Sequence, residues 1–332
     1  MNPFTLERPR DLSVALAYQA QAGRNDAAAE YIAGGTDMVQ LLQERVRSPD
    51  RLVSLAGLLD DRIQSSPQGL RLGASATMAD VAAHATVIEQ FPVISEALLA
   101  SASPQVRNQA TMGGNLLQRT RCPYFRDIGY AACNKRAPGS GCAAIEGENR
   151  WHAVLGTSEK CIAAHASDLA VALVALDASI EVRQANGTRM VPLAEFHRLP
   201  DDTPHIETVL EPGEVIAAIT VPANPVAQRS HYLKVRERAS FEFAMVSTAV
   251  ALEIDGGRIR QARVALGGVG TKPWRARSVE AALTGSGLDQ QALRLAAALA
   301  AEGARGRGGN DFKIELMQRT IVRAVETAGA RT

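Results

Sequence analysis

The stretch AGGTDMVQLLQ, residues 33–43, joins two glycines and a Thr-Asp pair to an amphipathic run. A short strand is predicted just before it at 31–33, and Met38, Leu41 and Leu42 recur at helical spacing. Glycine has no Cβ, so its backbone amide approaches an anion closely, and the start of a helix adds partial positive charge. The stretch therefore predicts a strand, a glycine turn and a helix that together suit a phosphate group.

A second glycine pair lies in ATMGGNLLQ, residues 110–118. Two such turns suit a pyrophosphate, with Thr36 and Thr111 adding hydroxyl groups and Asn115 a side-chain amide. The alternative is that each glycine pair only makes a tight turn. Neither pair has the G-x-G-x-x-G spacing of a Rossmann fingerprint, and GGVGTK at 267–272 lacks the Walker spacing. A Rossmann or P-loop nucleotide fold is therefore not indicated.

Length and composition indicate a folded protein of two domains. The chain has 332 residues, which exceeds the size at which a single hydrophobic core usually stops growing. Apolar residues make up 46% and charged residues 21%, which excludes a disordered or collagen-like chain. The net charge of +1 provides no field for capturing nucleic acid or anionic lipid.

Targeting signals and membrane spans are not apparent in the sequence. The first residues carry charges where a signal peptide needs an apolar core, and the longest apolar run, 169–176, is far too short to cross a bilayer. We expect no signal of its own and no membrane insertion. A periplasmic location would require export together with a partner that carries a signal, and the alternative is the cytoplasm.

Turn signals and periodicity predict mixed helix and strand structure on both sides of a boundary near residue 225, where prolines are frequent. Asn186-Gly187 marks a hairpin. In the first domain we predict helices at 11–22, 77–89 and 167–176 and strands at 31–33, 51–55, 70–73, 180–183, 189–191 and 215–221. In the second domain we predict strands at 246–254 and 259–266 and helices at 281–285, 288–301 and 312–328.

All the cysteines of the chain fall in one segment rich in Pro, Gly and Asn. They are Cys122, Cys133, Cys142 and Cys161. Structural cysteines would be scattered through the apolar segments, so this confinement suggests a shared ligand. Four thiolates suit either tetrahedral zinc or an iron–sulfur cluster, and disulfides are a further alternative. The spacing lacks close C-x-x-C pairs and does not choose between zinc and a cluster.

Charged and histidine residues near the cysteines bear on that choice. The stretch 118–140 has a local excess of positive charge, which would offset a four-thiolate cluster. Its charged residues are Arg119, Arg121, Arg126, Asp127, Lys135 and Arg136. Cys161 and His165 are four apart and would share a helix face in a zinc site. The alternative is that His152 and His165 are polar loop residues, or that His165 lies beside Asp168.

Four motifs in this order resemble the flavin-binding subunits of molybdenum hydroxylases, the group that includes the medium subunits of xanthine dehydrogenase and carbon monoxide dehydrogenase. They are AGGTDMVQLLQ, ATMGGNLLQ, ASDLAVALVALDA and YLKVRERASFEFAMVSTAVAL. The resemblance implies an α+β FAD-binding domain at 1–225, of the PCMH (vanillyl-alcohol oxidase-like) type, with the flavin between two subdomains. It also implies a smaller α+β C-terminal domain at 228–330.

The same resemblance implies which residues contact the flavin. Those near the diphosphate and ribityl chain would be Ala33, Gly34, Gly35, Thr36, Asp37, Thr111, Gly113, Gly114 and Asn115. Asp168 and Lys234 would lie on the flavin, where a cation near the pyrimidine ring stabilises the anionic reduced form. From the residues alone, Ser167-Asp168 is ordinary helix capping and Lys234 belongs to a solvated strand face. Tyr232, Phe241 and Phe243 are expected to be packing residues.

The cysteine segment, about 119–165, resembles an insertion in bacterial aldehyde oxidoreductases of the periplasmic type and a similar feature in hydroxybenzoyl-CoA reductases. That likeness implies a 4Fe-4S cluster ligated by Cys122, Cys133, Cys142 and Cys161. It also implies a large partner subunit with the molybdenum cofactor, which oxidises an aldehyde, and a small partner with 2Fe-2S centres. This chain would carry electrons to FAD and an external acceptor, and it would contribute no catalytic residue to substrate oxidation.

Two further hypotheses stay open on the sequence. The chain would be a stand-alone FAD-dependent reductase if it worked like the cell-wall nucleotide-sugar reductases that share this general fold. It would be a non-enzymatic scaffold if the cysteines held a structural zinc ion and the flavin cleft were empty.

Overall fold

A computed structural model describes residues 1–20 and 29–331. The first subdomain is a small parallel sheet with strand order β1-β3-β2. Its elements are β1 (Thr5–Glu7), α1 (Leu12–Ala20), β2 (Ala29–Ile32), α2 (Met38–Gln43) and β3 (Arg51–Ser54). The strand, glycine turn and helix predicted around residue 35 are confirmed. The last two residues of the helix predicted at 11–22 lie outside the described residues.

The second subdomain is an antiparallel sheet with strand order β4-β5-β8-β6-β7. Its strands are β4 (Ile63–Ser66), β5 (Gly69–Gly73), β6 (Ser179–Gln184), β7 (Gly187–Pro192) and β8 (Val215–Pro222). Its helices are α3 (Met78–Ala83), α4 (Ala85–Gln90), α5 (Pro92–Ala100), α6 (Pro104–Arg107), α7 (Met112–Leu116), α8 (Pro123–Arg126), α9 (Asp168–Ala175) and α10 (Leu193–Phe196). The hairpin predicted at Asn186-Gly187 joins β6 to β7, as expected.

The single helix predicted at 77–89 is wrong, because the chain forms two helices there. Thr77 caps α3 as the sequence indicated, since its hydroxyl accepts from the Asp80 amide at 3.1 Å. His84 then adopts extended backbone, with φ −72° and ψ 125°, which ends α3 and starts α4 in a new direction.

The C-terminal domain is an antiparallel sheet with strand order β12-β11-β10-β9, covered by helices. Its elements are β9 (Ser230–Val235), β10 (Val246–Asp255), β11 (Arg258–Gly267), β12 (Trp274–Arg275), α11 (Arg277–Leu283), α12 (Gln290–Ala298) and α13 (Phe312–Gly329). The helix predicted at 281–285 starts earlier and ends earlier. Gly285 has φ +85° and donates to the Ile259 carbonyl, so the helix ends before it.

Helix α9 joins the second subdomain to the C-terminal domain. Each of its residues is buried, and it packs on α5 as well as on β10 and β11. One apolar core therefore runs from the second sheet into the third, where it includes Tyr232 and Ala249. In the described part of the chain, no helix is both long and apolar enough to span a membrane. The expected α+β architecture is confirmed, and the boundary near residue 225 stays a prediction.

Candidate functional site

A cavity of about 680 Å³ lies between the two N-terminal subdomains and reaches the C-terminal domain; we call it the main cavity. Every residue that the sequence analysis assigned to the flavin lines it. They are Ala33, Gly34, Gly35, Thr36, Asp37, Thr111, Gly113, Gly114, Asn115, Asp168 and Lys234. Residues far apart in the chain are thus brought to one concave surface of the size that cofactor sites have.

The first glycine turn packs against Gln109, in the segment that precedes the second glycine pair. A Cβ on Gly34 would lie 2.0 Å from the Gln109 carbonyl oxygen, so only glycine allows this approach. Gly35 has φ +73°, a backbone conformation that favours glycine. Among the described residues, nothing accepts a hydrogen bond from the amides of Gly34, Gly35 and Thr36. Unpaired amides that line a cavity are donors available to an anion.

The second glycine pair is not a free turn, because it forms the first turn of α7. The Thr111 hydroxyl caps this helix by accepting from the Gly114 amide, and the Gly113 amide donates to the Ala74 carbonyl at 3.0 Å. A Cβ on Gly113 would lie 3.1 Å from the Ala74 Cβ. These amides are already paired, so the second glycine pair shapes the wall of the main cavity while the first supplies its free donors.

A buried ion pair closes one end of the main cavity. Lys234 Nζ lies 2.7 Å from Asp168 Oδ2, and their side chains are only 3% and 6% exposed. The hydroxyls of Ser101 and Tyr232 donate to the two oxygens of Asp168 at 2.8 and 2.6 Å. Ser167, not Asp168, caps α9, because its hydroxyl accepts from the Ala170 amide. The helix capping expected of Ser167-Asp168 is confirmed at Ser167, and the carboxylate of Asp168 is used for the ion pair instead. The solvated position expected for Lys234 is wrong.

Of the three aromatic residues expected to pack, Tyr232 does so, whereas Phe241 and Phe243 do not. Tyr232 is buried, but its hydroxyl binds Asp168 as well. Burial and the neighbouring carboxylate raise the pKa of Tyr232 well above its ordinary value, so it stays a donor. Phe241 and Phe243 line the main cavity and are 55% and 43% exposed. Phe241 has φ +51°, unusual for a bulky side chain. Their clustering after the Lys234 strand was the sequence signal.

The thiols of the cysteine segment lie near enough to influence one another, in a loop with little regular structure. None of them forms a disulfide. The backbones of Cys133 and Cys142 form an isolated antiparallel β-bridge. Burial, with the neighbouring thiols Cys161 and Cys133 adding to it, raises the pKa of Cys122 to about 12. Burial also raises the pKa of Cys161 to about 11, with Cys142 and Cys133 adding to it. Such thiols ionise only when a cation or metal group neutralises them.

The positive charges of the cysteine segment have partners elsewhere in the fold. Asp37 binds Arg121 at 2.8 Å and Arg126 at 2.7 Å, while Glu207 binds Arg119 and Lys135. Arg136, whose guanidinium donates to backbone carbonyls of the segment, lacks an acidic partner among the described residues. The local charge excess predicted to offset a cluster is thus largely neutralised. Its arginines instead fix the segment to both subdomains.

Both histidines near the cysteines lie in loops, as expected, but each makes a specific contact. His152 Nε2 lies 3.1 Å from Cys122 Sγ, and His152 is 1% exposed. Burial and the positive charge of Lys313 lower the pKa of His152 to about 4, so the ring is neutral. His165 lies outside any helix, and its ring packs edge-on against the ring of His197, with 4.4 Å between the ring centroids. The helical zinc pair of Cys161 and His165 is therefore wrong.

A single metal ion has no ready site among the described residues. No group of three or more His, Cys, Asp or Glu side chains in residues 1–20 and 29–331 is arranged to hold one. A zinc ion needs its thiolates about 2.3 Å from a common point. No observation on the described residues therefore favours the zinc alternative.

Two family models match the chain in succession. The FAD binding domain in molybdopterin dehydrogenase matches residues 2–224, and the CO dehydrogenase flavoprotein C-terminal domain matches residues 231–328. Both sides of the predicted boundary thus match known domains.

Individual relatives match over the whole length. The chain is 46% identical to the aldehyde oxidoreductase FAD-binding subunit PaoB of Escherichia coli (strain K12), and the alignment covers 100% of both. It is 26% identical to the carbon monoxide dehydrogenase medium chain of Afipia carboxidovorans, over 99% of this chain and 97% of the relative. The solved structure of reconstituted CO dehydrogenase from Oligotropha carboxidovorans superposes with a TM-score of 0.76 at 24% identity, covering 99% of both chains. This structural likeness shows the fold.

Proposed function

The chain belongs to the FAD-binding subunits of the molybdenum hydroxylases, and on that premise we propose that it is the electron-transfer flavoprotein of an aldehyde oxidoreductase. It holds FAD in the main cavity and a 4Fe-4S cluster in the cysteine segment. A large partner carries the molybdenum cofactor and oxidises the aldehyde, and a small partner carries 2Fe-2S centres. The assignment of an aldehyde substrate rests on the 46% identity to an aldehyde oxidoreductase FAD-binding subunit.

The observation that carries the FAD assignment is the set of unpaired amides at Gly34, Gly35 and Thr36 on the wall of the main cavity. These half-buried amides are free to donate, and the oxygens of a diphosphate would accept from them. The close contact of Gly34 with Gln109 keeps this wall in place. A diphosphate-binding role therefore accounts for the free amides of the first glycine turn, which a simple tight turn does not explain.

The buried pair at the other end suits the ring system of the flavin. Bound FAD supplies the two-electron chemistry of this subunit. Lys234 would hold a positive charge beside the ring, and its ammonium is fixed by Asp168 at 2.7 Å and the Ala100 carbonyl at 3.1 Å. Tyr232 and Ser101 orient that carboxylate through their hydroxyls. Phe241 and Phe243 form an apolar rim that limits the access of water.

The cluster assignment is supported by the chemistry of the donor set. The four thiols are free and largely shielded from solvent, and each of Cys122, Cys142 and Cys161 has its pKa raised by burial together with other thiols of the set. A 4Fe-4S cluster spreads its thiolates around an inorganic core and supplies one-electron chemistry.

Cofactor analysis of the assembled complex tests this function. The complex, purified without air, should contain FAD, together with iron and sulfide in excess of what the small subunit's 2Fe-2S centres account for. The isolated, flavin-loaded chain should not oxidise an aldehyde. A complex without flavin would refute the FAD assignment, and one whose iron is fully explained by the small subunit would refute the cluster.

A cysteine substitution tests the cluster separately from the flavin. Cys133→Ser should lower the iron content while leaving FAD bound, because Cys133 lies outside the lining of the main cavity. Ala131→Ser, at an exposed position of the same loop, is the matched control and should keep its iron. Equal iron in the two variants would count against a ligand role for Cys133.

A further inference from the structure

The imidazole of His152 is fixed against one thiol of the cysteine segment. Its Nε2 lies 3.1 Å from Cys122 Sγ, whereas its Nδ1 is buried without a hydrogen-bond partner in the described residues. Only a ring nitrogen that carries a proton can donate, and Nε2 is the nitrogen with a neighbouring acceptor. Once Cys122 is a ligated thiolate, it can only accept, so Nε2–H is the donor. This arrangement makes a hydrogen bond to a cluster sulfur.

A buried lysine lies next to that imidazole. Lys313 on α13 is 0% exposed, and its Nζ donates to the Gly268 carbonyl at 2.8 Å. No carboxylate lies within 4 Å of this ammonium among the residues that the structure describes. Gly268, whose carbonyl Lys313 binds, lines a second cavity together with Cys122 and His152. Burial lowers the pKa of Lys313 to about 7, so a negative group nearby is what would hold it as an ammonium.

The fold holds this lysine beside the cysteine segment. Asn310, just before α13, is fully buried and donates to the Ala153 carbonyl at 3.0 Å. The second cavity, of about 220 Å³, is lined by Cys122, His152 and Gly268, and Asp168 lines both this cavity and the main cavity. The imidazole and the carbonyl that binds the ammonium are therefore on one cavity wall with Cys122.

We propose that His152 and Lys313 are positioning residues that raise the reduction potential of the cluster, the first by donating to Cys122 Sγ and the second by its buried positive charge. The inference rests on the cluster proposed above. Reduction adds negative charge to the cluster. Hydrogen bonds to its sulfurs and nearby cations therefore stabilise the reduced form more than the oxidised form. They would act together with the Ala163 amide, which donates to Cys161 Sγ at 3.5 Å, while Asp37 and Glu207 neutralise most of the other cations of the segment.

A redox titration of the assembled complex, followed by electron paramagnetic resonance, tests the proposal. His152→Phe removes the donor, and Lys313→Met removes the charge. Each should lower the ratio of reduced to oxidised cluster at a fixed potential by about tenfold, which is 59 mV for one electron. His152→Gln retains a donor and should recover part of the loss. The potential of the flavin is the internal reference and should not move.

Matched controls separate this effect from general damage. His84→Phe changes a histidine outside the segment, and Arg319→Met removes an exposed charge from the same helix as Lys313. Both should leave the cluster potential unchanged. Iron-loaded His152→Phe and Lys313→Met complexes with the wild-type potential would overturn this inference and leave the cluster standing. If the His152→Phe complex binds no iron, the cluster potential of the Lys313→Met complex decides whether the inference holds. A wild-type chain without iron would overturn the cluster and this inference together.

Discussion

Removing the charge of Lys234 should destabilise the flavin-free chain markedly. The ammonium and the carboxylate of Asp168 are 2.7 Å apart, with side chains 3% and 6% exposed, so neither is solvated by water. Breaking a buried pair by removing one partner costs about 3 to 5 kcal/mol. Asp168 keeps two hydroxyl donors in Lys234→Met, so we expect the lower end, about 3 kcal/mol. At about 2 °C per kcal/mol for a chain of this size, the melting temperature falls by about 6 °C.

A double-mutant cycle identifies the ion pair as the cause. Asp168→Asn alone should destabilise the chain as well, whereas Lys234→Met combined with Asp168→Asn should recover about 2 kcal/mol relative to the sum of the single changes. The assay is thermal unfolding of the full chain after flavin removal, so that bound FAD does not mask the change. Single variants that melt like the wild type, or a double variant as unstable as the sum, would refute the reasoning.

Two further predictions concern the walls of the site. Gly34→Ala should abolish FAD retention and cost about 3 kcal/mol, because its Cβ would lie 2.0 Å from a backbone oxygen; Gly287→Ala, with only ordinary contacts, should be neutral. Glu207→Gln should lower the free energy of unfolding by about 1 to 2 kcal/mol at neutral pH. Burial raises the pKa of Glu207, but the charge of Arg119 outweighs burial and holds this pKa below its ordinary value of 4.5. The stabilisation by the Glu207 carboxylate is therefore complete above pH 4.5 and is lost as the pH falls through the folded-state pKa.

The measurements for these two are flavin content and chemical unfolding at several pH values. Tightly bound FAD in Gly34→Ala would mean that the two glycine segments can separate without loss of the site. For Glu207, the unfolding curves of wild type and variant should converge in acid. A constant difference across that range would show that the carboxylate contributes nothing through its charge.

The sequence predicted local elements and the convergence of the flavin residues, but not their partners. The glycine turn before α2 followed from a strand, two glycines and helical spacing, and all eleven assigned residues line one cavity. The resemblance brought Asp168 and Lys234 to it, because residue patterns alone indicated a cap and a solvated strand. Their contact joins positions 66 apart in the chain. Periodicity reports which side chains are buried, and it carries no information on which distant group they meet.

The same limit explains the errors around the cysteines. Counting charges within 118–140 missed Asp37 and Glu207, since both lie outside that window. His152 was assigned to a polar loop because no helix or strand pattern surrounds it, yet the fold places it against Cys122. Lys313 belongs to a helix with many charged residues on its exposed face, so the sequence pattern did not indicate that this lysine would be buried.

Asp37 serves two neighbourhoods at once. Its backbone belongs to the glycine turn, while its carboxylate binds Arg121, Arg126 and the Arg119 amide. One carboxylate therefore ties the cysteine segment to the wall of the main cavity. A substitution at Asp37 would loosen both regions together, so a combined loss of flavin and of iron in such a variant would have a single cause.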